Sequence, residues 1–182
     1  MRTLGIALFT IIFISFFSCK ESVSEDNIRK ISSDFSMQQK EYEGMKEIYN
    51  ASSTKRELSE LSFKKKTKEF KSALSVESVR KNIYALRQQT LILSAENRKH
   101  LEAVKVVIDS SSAFITSINL TINSNDVALK KWLDLNEQYE QEANAFYRTD
   151  KQLTMCENQL AKALELLKNS SQNNKSKKTK RK

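Results

Sequence analysis

Apolar side chains recur along this chain at alternating steps of three and four residues, the spacing of one face of an α-helix. The first run contains, in order, Ile28, Ile31, Phe35, Gln38, Tyr42, Met45 and Tyr49. Alternation of this kind is the heptad repeat of helices that pack against one another along a shared apolar stripe. The spacing therefore predicts a long helix that begins near residue 28.

The middle of this first helix is less regular. The same spacing continues to Phe63 and Phe70, but its intermediate steps are the polar residues Ser52, Arg56 and Ser59. Thr54 and Glu57 also have the spacing of a capping box, which marks the start of a helix. A helix break near residues 50 to 54 is thus one prediction, and it would convert a three-helix bundle into a four-helix one.

Two further stripes follow. The second comprises Val76, Val79, Ile83, Leu86, Thr90, Leu93, Asn97, His100, Val104, Val107, Ser111, Phe114 and Ile118. The third comprises Trp132, Leu135, Tyr139, Glu142, Phe146, Thr149, Leu153, Cys156, Leu160, Ala163 and Leu167. Residues 72–75 and 123–126 separate the three segments, and the second of these stretches is rich in residues that favour turns and helix caps. The polar members Thr90, Asn97 and Ser111 are expected to fix the register of the helices.

Composition supports a helical fold. The chain has no proline and only two glycines, Gly5 and Gly44, so it lacks the residues on which tight turns depend. Each of the three segments has about 45 residues, and at 1.5 Å per residue each would be roughly 65 Å long. Short connections make successive helices antiparallel neighbours. We therefore predict an all-α, elongated, antiparallel three-helix or four-helix coiled-coil-like bundle.

The first residues have the pattern of a secretory signal. Arg2 is followed by apolar and small residues from Leu4 to Phe17, and then by Ser18 and Cys19. A basic start, a short apolar stretch and a small residue at the cleavage point are typical of signal peptides. The apolar stretch is shorter than the roughly 20 residues that span a membrane. Residues 1–18 are therefore predicted to be a signal peptide.

The sequence Phe16-Phe17-Ser18-Cys19 resembles the lipobox of bacterial lipoproteins, although Phe16 and Ser18 stand where Leu and Gly or Ala are usual. Together with the Lys- and Asn-rich composition, it is similar to the spirochaetal, Borrelia-type surface lipoproteins. The resemblance implies that Cys19 carries the lipid and that residues 19–27 are a tether to the outer membrane. Residues 28–168 would then form the bundle. A plain signal peptide with an incidental Cys19 is the alternative.

Residues that would support catalysis are scarce. His100 is the only histidine, and the glycines of a phosphate-binding loop are missing. A hydrogen-bonded histidine in or beside the core is the expected role of His100. Cys156 lies on the third stripe and is expected to pack as a small apolar residue, with an intermolecular disulfide as the alternative. We expect no enzyme activity, no cofactor and no metal site.

Positive charge is unevenly placed in this chain of net charge +9. The segment 169–182 is predicted to be a disordered tail, with the six basic residues Lys175, Lys177, Lys178, Lys180, Arg181 and Lys182 and no acidic one. A second basic group ends the first segment and comprises Lys64, Lys65, Lys66, Lys68 and Lys71. Arg80 and Lys81 begin the next segment. In an up-down-up bundle, all three groups would lie at one end.

A basic end of this kind favours binding of polyanions such as glycosaminoglycans by charge attraction. The first functional hypothesis is therefore a cell-surface interaction or adhesin-type lipoprotein that binds a host polyanion or protein and no intracellular nucleic acid. The alternative is a structural lipoprotein that faces the periplasm and forms homo-oligomers. If the lysines serve only to keep the surface soluble, the positive charge does not imply a polyanion or a protein ligand.

The lipid anchor is the first prediction to test. Replacing Cys19 with Ala removes the only thiol at the lipobox, so we expect an unlipidated protein that stays in the aqueous phase of a detergent phase separation. The measurement is the partition of the wild-type and Cys19→Ala chains, with Cys156→Ala as the control that keeps the lipobox. Full partition of Cys19→Ala into detergent would contradict the anchor.

Overall fold

A computed structural model of the 182-residue chain describes residues 23–69, 77–120 and 125–179. These residues form three helices, α1 (Glu25–Glu69), α2 (Glu77–Leu120) and α3 (Asn125–Thr179). Within the three described ranges there is no strand, and only Val23 and Ser24 lie outside a helix. The prediction of an all-α fold built from three long helices is confirmed. Residues 1–22, including Cys19, lie outside the described ranges.

Helix α1 begins three residues before the predicted position at Ile28. The Ser24 side chain caps it, because the Asn27 backbone N–H donates to Ser24 Oγ at 3.3 Å. Glu25 and Asp26 lie in the first turn, where negative charge interacts favourably with the helix dipole. The last residues of the predicted tether, 25–27, are therefore part of the helix.

Helix α1 is continuous through residues 50–54, so the prediction of a break there was wrong. The Thr54 hydroxyl donates to the Asn50 carbonyl oxygen at 3.1 Å, one helical turn earlier. A threonine that bonds back in this way lies inside a helix and does not cap one. With α1 unbroken, the four-helix alternative is excluded.

The described helices are divided between two compact units. The described part of the first unit comprises residues 23–39, 106–120 and 125–139, and that of the second comprises residues 40–69, 77–105 and 140–179. Each unit thus contains a segment of all three helices. The core of each unit is described separately below.

In the first unit, an apolar cluster joins the three helix segments. Its buried members are Val23, Ile31, Phe114, Ile118, Ala128, Trp132 and Leu135. Beside it, the Asn27 amide donates to Asn125 Oδ1 at 3.0 Å and the Gln38 amide donates to Asn136 Oδ1 at 2.8 Å. Both pairs are 98 residues apart, so α1 and α3 run parallel in this unit.

In the second unit, α2 runs antiparallel to α3. Asn97 of α2 contacts Asp150 of α3, and His100, three residues further on, contacts Glu142, which comes earlier in α3. The largest fully buried side chains here include Phe146 and Met45, both 0% exposed. Helix α1 is also antiparallel to α2, because Glu60 pairs with Arg87 and Phe63, further along α1, contacts Tyr84, which comes earlier in α2. The predicted up-down-up order of the helices is therefore present within this unit.

The predicted stripes correspond closely to the buried residues. On α2, the stripe from Ile83 to Ile118 is buried except for Leu86 and His100, which are half-buried. Two predicted stripe positions, Ser59 and Val79, are instead exposed. The heptad spacing therefore identifies the inward face of each helix correctly over most of its length.

The tail requires a correction. Helix α3 continues to Thr179, so the backbone of residues 169–179 is helical where a disordered tail was predicted. The physical reason is that this stretch has no proline or glycine, and extending an existing helix costs far less than nucleating one. Lys180, Arg181 and Lys182 lie outside the described ranges.

Among the described residues, no helix combines the length and hydropathy that crossing a membrane requires. The mean hydropathy of the whole chain is −0.55, in keeping with its many charged residues.

The core of the second unit yields a stability prediction. Leu153 is 1% exposed and packs with Leu93 and Cys156, so Leu153→Ala should lower the free energy of unfolding by about 2 to 5 kcal/mol. Leu133 is 64% exposed, and Leu133→Ala should change it by less than about 0.5 kcal/mol. Denaturant unfolding followed by circular dichroism measures both, and equal effects would show that Leu153 is not a core residue.

Candidate functional site

An apolar cluster in the second unit positions the predicted basic groups. Phe63 of α1, Ile83 of α2 and Leu160, Leu164 and Leu167 of α3 are all buried in it. Lys64 to Lys68 follow Phe63 directly, and Arg80 and Lys81 precede Ile83 by less than one helical turn. The residues after Leu167 lead to the basic tail. The cluster therefore brings the first two basic groups together, while Lys175, the first basic residue of the 169–182 segment, lies eight residues beyond Leu167.

Most of the described basic side chains at this place are exposed. Lys64, Lys65, Lys68, Arg80 and Lys81 are exposed, and Lys66 is half-buried. Lys81 forms an ion pair with Glu77 at 3.0 Å. Lys71 lies outside the described ranges. Nothing is described for the side chains of Lys175, Lys177 and Lys178, although their backbone is helical.

The two units carry opposite net charge. The described residues of the first unit include four basic and seven acidic side chains, a net charge of −3. Those of the second include 21 basic and 14 acidic side chains, a net charge of +7. The positive net charge of the second unit therefore attracts anions.

One basic residue of α1 points inward. Arg56 occupies a stripe position and lies 3.8 Å from Glu157 of α3, measured from Nη1 to Oε1. The two side chains are only 12% and 14% exposed, and the guanidinium lies 5.5 Å from the centre of the Tyr49 ring. At 3.8 Å the pair attracts electrostatically but does not form a hydrogen bond. Both Arg56 Nη atoms and Glu157 Oε1 are buried without a hydrogen-bond partner.

A second polar pair lies near this ion pair. The Asn97 amide, 0% exposed, donates to Asp150 Oδ1 at 3.3 Å, while Asn97 Oδ1 has no hydrogen-bond partner. Burial raises the pKa of the Asp150 carboxyl, and Arg56 and the Asn97 bond oppose that rise. Burial likewise raises the pKa of Glu157, against the attraction of Arg56. Arg56 therefore opposes the effect of burial on the pKa of both carboxyls, and Lys55 acts in the same direction on Glu157.

A different ion pair joins α1 to α2. Arg87 donates from Nε and Nη2 to the two carboxylate oxygens of Glu60 at 2.9 and 2.8 Å. These bonds lower the pKa of Glu60. The Arg87 guanidinium also lies 5.1 Å from the centre of the Phe63 ring, within range of a cation–π interaction. This pair fixes α2 against α1 beside the basic residues that follow Phe63.

The single histidine lies where the stripe spacing predicts it. His100 is half-buried, and its Nδ1 lies 2.7 Å from Glu142 Oε2 of α3. The expected hydrogen-bonded position beside the core is confirmed. Among the described residues, no group of three or more potential metal-ligating side chains is gathered in one place.

Cys156 is buried, as its stripe position predicts, and is 4% exposed. Its Sγ lies 3.3 Å from Thr90 Oγ1 and 3.4 Å from the Leu86 carbonyl oxygen. Leu93 and Leu153 complete its surroundings. A thiol enclosed in this way could reach a second chain only if the helices separated.

Comparisons of the chain with models of known protein families, with curated proteins and with solved structures find no match.

Sequence spacing did not identify the two interhelical ion pairs. In the predicted stripe of α1, Arg56 is one of the polar positions that make the spacing irregular. Its partner Glu157 lies 101 residues further along the chain. Glu60 and Arg87 occupy positions beside the stripes, where charged residues are common in helical bundles. The one signal in the sequence is the position of Arg56 on the predicted inward stripe, because a buried arginine requires a partner for its charge.

The Arg56–Glu157 pair yields a prediction. Arg56→Met leaves the Glu157 carboxylate buried without its cation, so it should lower the free energy of unfolding by about 3 kcal/mol. Arg56→Met combined with Glu157→Met removes both charges and should recover most of that loss. Denaturant unfolding at neutral pH measures the three free energies.

A matched control is the exposed pair formed by Arg98 and Glu102, whose side chains are 67% and 64% exposed. Arg98→Met should cost less than about 0.5 kcal/mol, because exposed pairs within one helix contribute little. If Arg56→Met cost no more than Arg98→Met, Arg56 would not hold a buried charge.

Proposed function

We propose that this chain is a lipid-anchored protein of the cell surface that binds polyanions through the basic residues of its second unit. The observation that carries the proposal is the unequal charge of the two units, −3 against +7 among the described residues. The exposed lysines Lys64, Lys65 and Lys68 contribute to the positive side. The lipobox-like residues at Cys19 support anchoring at a membrane.

The helical scaffold suits this kind of ligand. The apolar cluster around Phe63 and Ile83 fixes the ends of α1 and α2, while the lysines beside it stay exposed to solvent. Flexible lysine side chains on a rigid helix can follow a charged polymer without a shaped pocket. Sulfated glycosaminoglycans of a host surface are polymers of this type.

Attraction between exposed charges has a characteristic dependence on salt. Screening shortens from about 10 Å at 0.1 M to about 3 Å at 1 M ionic strength. Binding through exposed lysines should therefore weaken steeply as salt rises. Binding through an apolar contact would not.

The test uses the chain from Lys20 onward, which contains all three described helices, and immobilised heparin as the probe. We expect binding at low salt that is lost well below 1 M salt. Replacing Lys64, Lys65, Lys66 and Lys68 with Gln should weaken binding by roughly tenfold or more at low salt, since each lost charge reduces counterion release.

The matched control replaces the four basic residues in the described part of the first unit, Arg29, Lys30, Lys130 and Lys131, with Gln. Both variants lose four positive charges, so an effect of total charge alone would be equal in the two. A smaller effect of the control supports the proposal. Equal effects, or no binding of the wild-type chain, would contradict it.

A further inference from the structure

Apolar residues interrupt the basic surface of α1. Leu58 and Leu61 are 64% and 65% exposed, although leucine is among the residues most often buried. They are three residues apart, so their side chains lie next to each other on one face of the helix. The residues between Thr54 and Lys68 therefore combine two features, an exposed apolar pair and a concentration of lysines.

The lysines surround the leucines on the same side of the helix. At about 100° per residue, Thr54, Leu58, Leu61, Lys65 and Lys68 form one outward stripe. Lys55 and Lys64 flank this stripe on its two sides, and all seven side chains are exposed, as is that of Glu57, which lies between Lys64 and the stripe. We call these seven residues the basic–apolar face. It is about 21 Å long at 1.5 Å per residue.

The charge of this stretch is strongly positive. Residues 54–68 contain six basic and two acidic side chains, a net charge of +4. Arg56 and Glu60 are engaged in ion pairs with Glu157 and Arg87 on the other helices. The remaining charges are five lysines and Glu57.

A sulfated polysaccharide could use the lysines of this face but not the leucines, because its surface consists of sulfates and hydroxyls. A bilayer with anionic headgroups uses both. Lysines interact with the headgroups, while apolar side chains between them enter the boundary with the acyl chains. Lysine stems can also lie along the apolar layer with their amines in the headgroup region.

We propose that the basic–apolar face of α1, centred on Leu58 and Leu61, docks on bilayers that carry anionic lipid headgroups. This inference rests on the proposed polyanion binding and names the class of partner. The lysines supply attraction to the headgroups, and the two leucines supply the preference for a lipid surface over a soluble polyanion.

The experiment measures co-sedimentation of the chain from Lys20 onward with phosphatidylcholine vesicles, with and without phosphatidylserine. Heparin binding is measured in parallel. We expect binding to the vesicles with phosphatidylserine and little to those without. Replacing Leu58 and Leu61 with Ser should weaken vesicle binding by roughly tenfold, since removal of apolar area from water drives insertion. Heparin binding should not change.

The matched control replaces Val127 and Leu133 with Ser in the first unit. These side chains are 62% and 64% exposed, so both double variants exchange two exposed apolar residues for serine. Circular dichroism should show unchanged helix content in both. The control should bind vesicles as the wild-type chain does.

Four results would overturn the inference. If the serine variant at Leu58 and Leu61 bound the vesicles as well as wild type, or if the control lost as much binding, the leucines would have no specific role. If the chain bound heparin but no vesicle, the lipid partner would be wrong and polyanion binding would stand. If it bound neither, the proposed function would fall as well.

Discussion

The described backbone–backbone hydrogen bonds lie almost entirely inside the helices, so every described polar contact between helices involves at least one side chain. The one described backbone bond beyond the helices, from the Ile28 N–H to the Ser24 carbonyl oxygen, belongs to the cap of α1. Packing therefore depends on the inward stripe of each helix. Where that stripe is polar, as at Asn97 and Ser111, both 0% exposed, a buried polar group must be accommodated among apolar neighbours.

The stripes could be predicted from the sequence because they follow from the helical period alone. Met45, Val104 and Phe146 were placed in the core by spacing, and each is 0% exposed. The spacing omitted Leu101, Ile108 and Leu164, which lie beside the stripes and are buried. A helix that touches two neighbours buries a face wider than the two positions per heptad of a coiled-coil pair.

What the sequence did not predict depends on the register between helices. The partner of Arg56 could not be assigned from the sequence. If α3 were shifted along its axis relative to α1, a different residue of α3 would face Arg56. The break at residues 50–54 was predicted from a local signal, the capping-box spacing that starts at Thr54. Packing along the rest of α1 outweighs this local preference. For the candidate site, the positions of Lys64 to Lys68 on α1 could be predicted from the sequence, whereas the exposure of Leu58 and Leu61 depends on which face of α1 contacts the other helices.

The polar contacts between α1 and α3 limit how the chain can vary in length. Asn27 pairs with Asn125 and Gln38 with Asn136 at the same separation of 98 residues. One residue inserted into α3 between Asn125 and Asn136 would turn everything after it by about 100°. The second pair could not then form while the first was kept. Insertions and deletions among natural variants should therefore fall between the helices, or come as equal steps of seven residues at the same level of all three helices, which keep both the rotation and the height of the facing side chains.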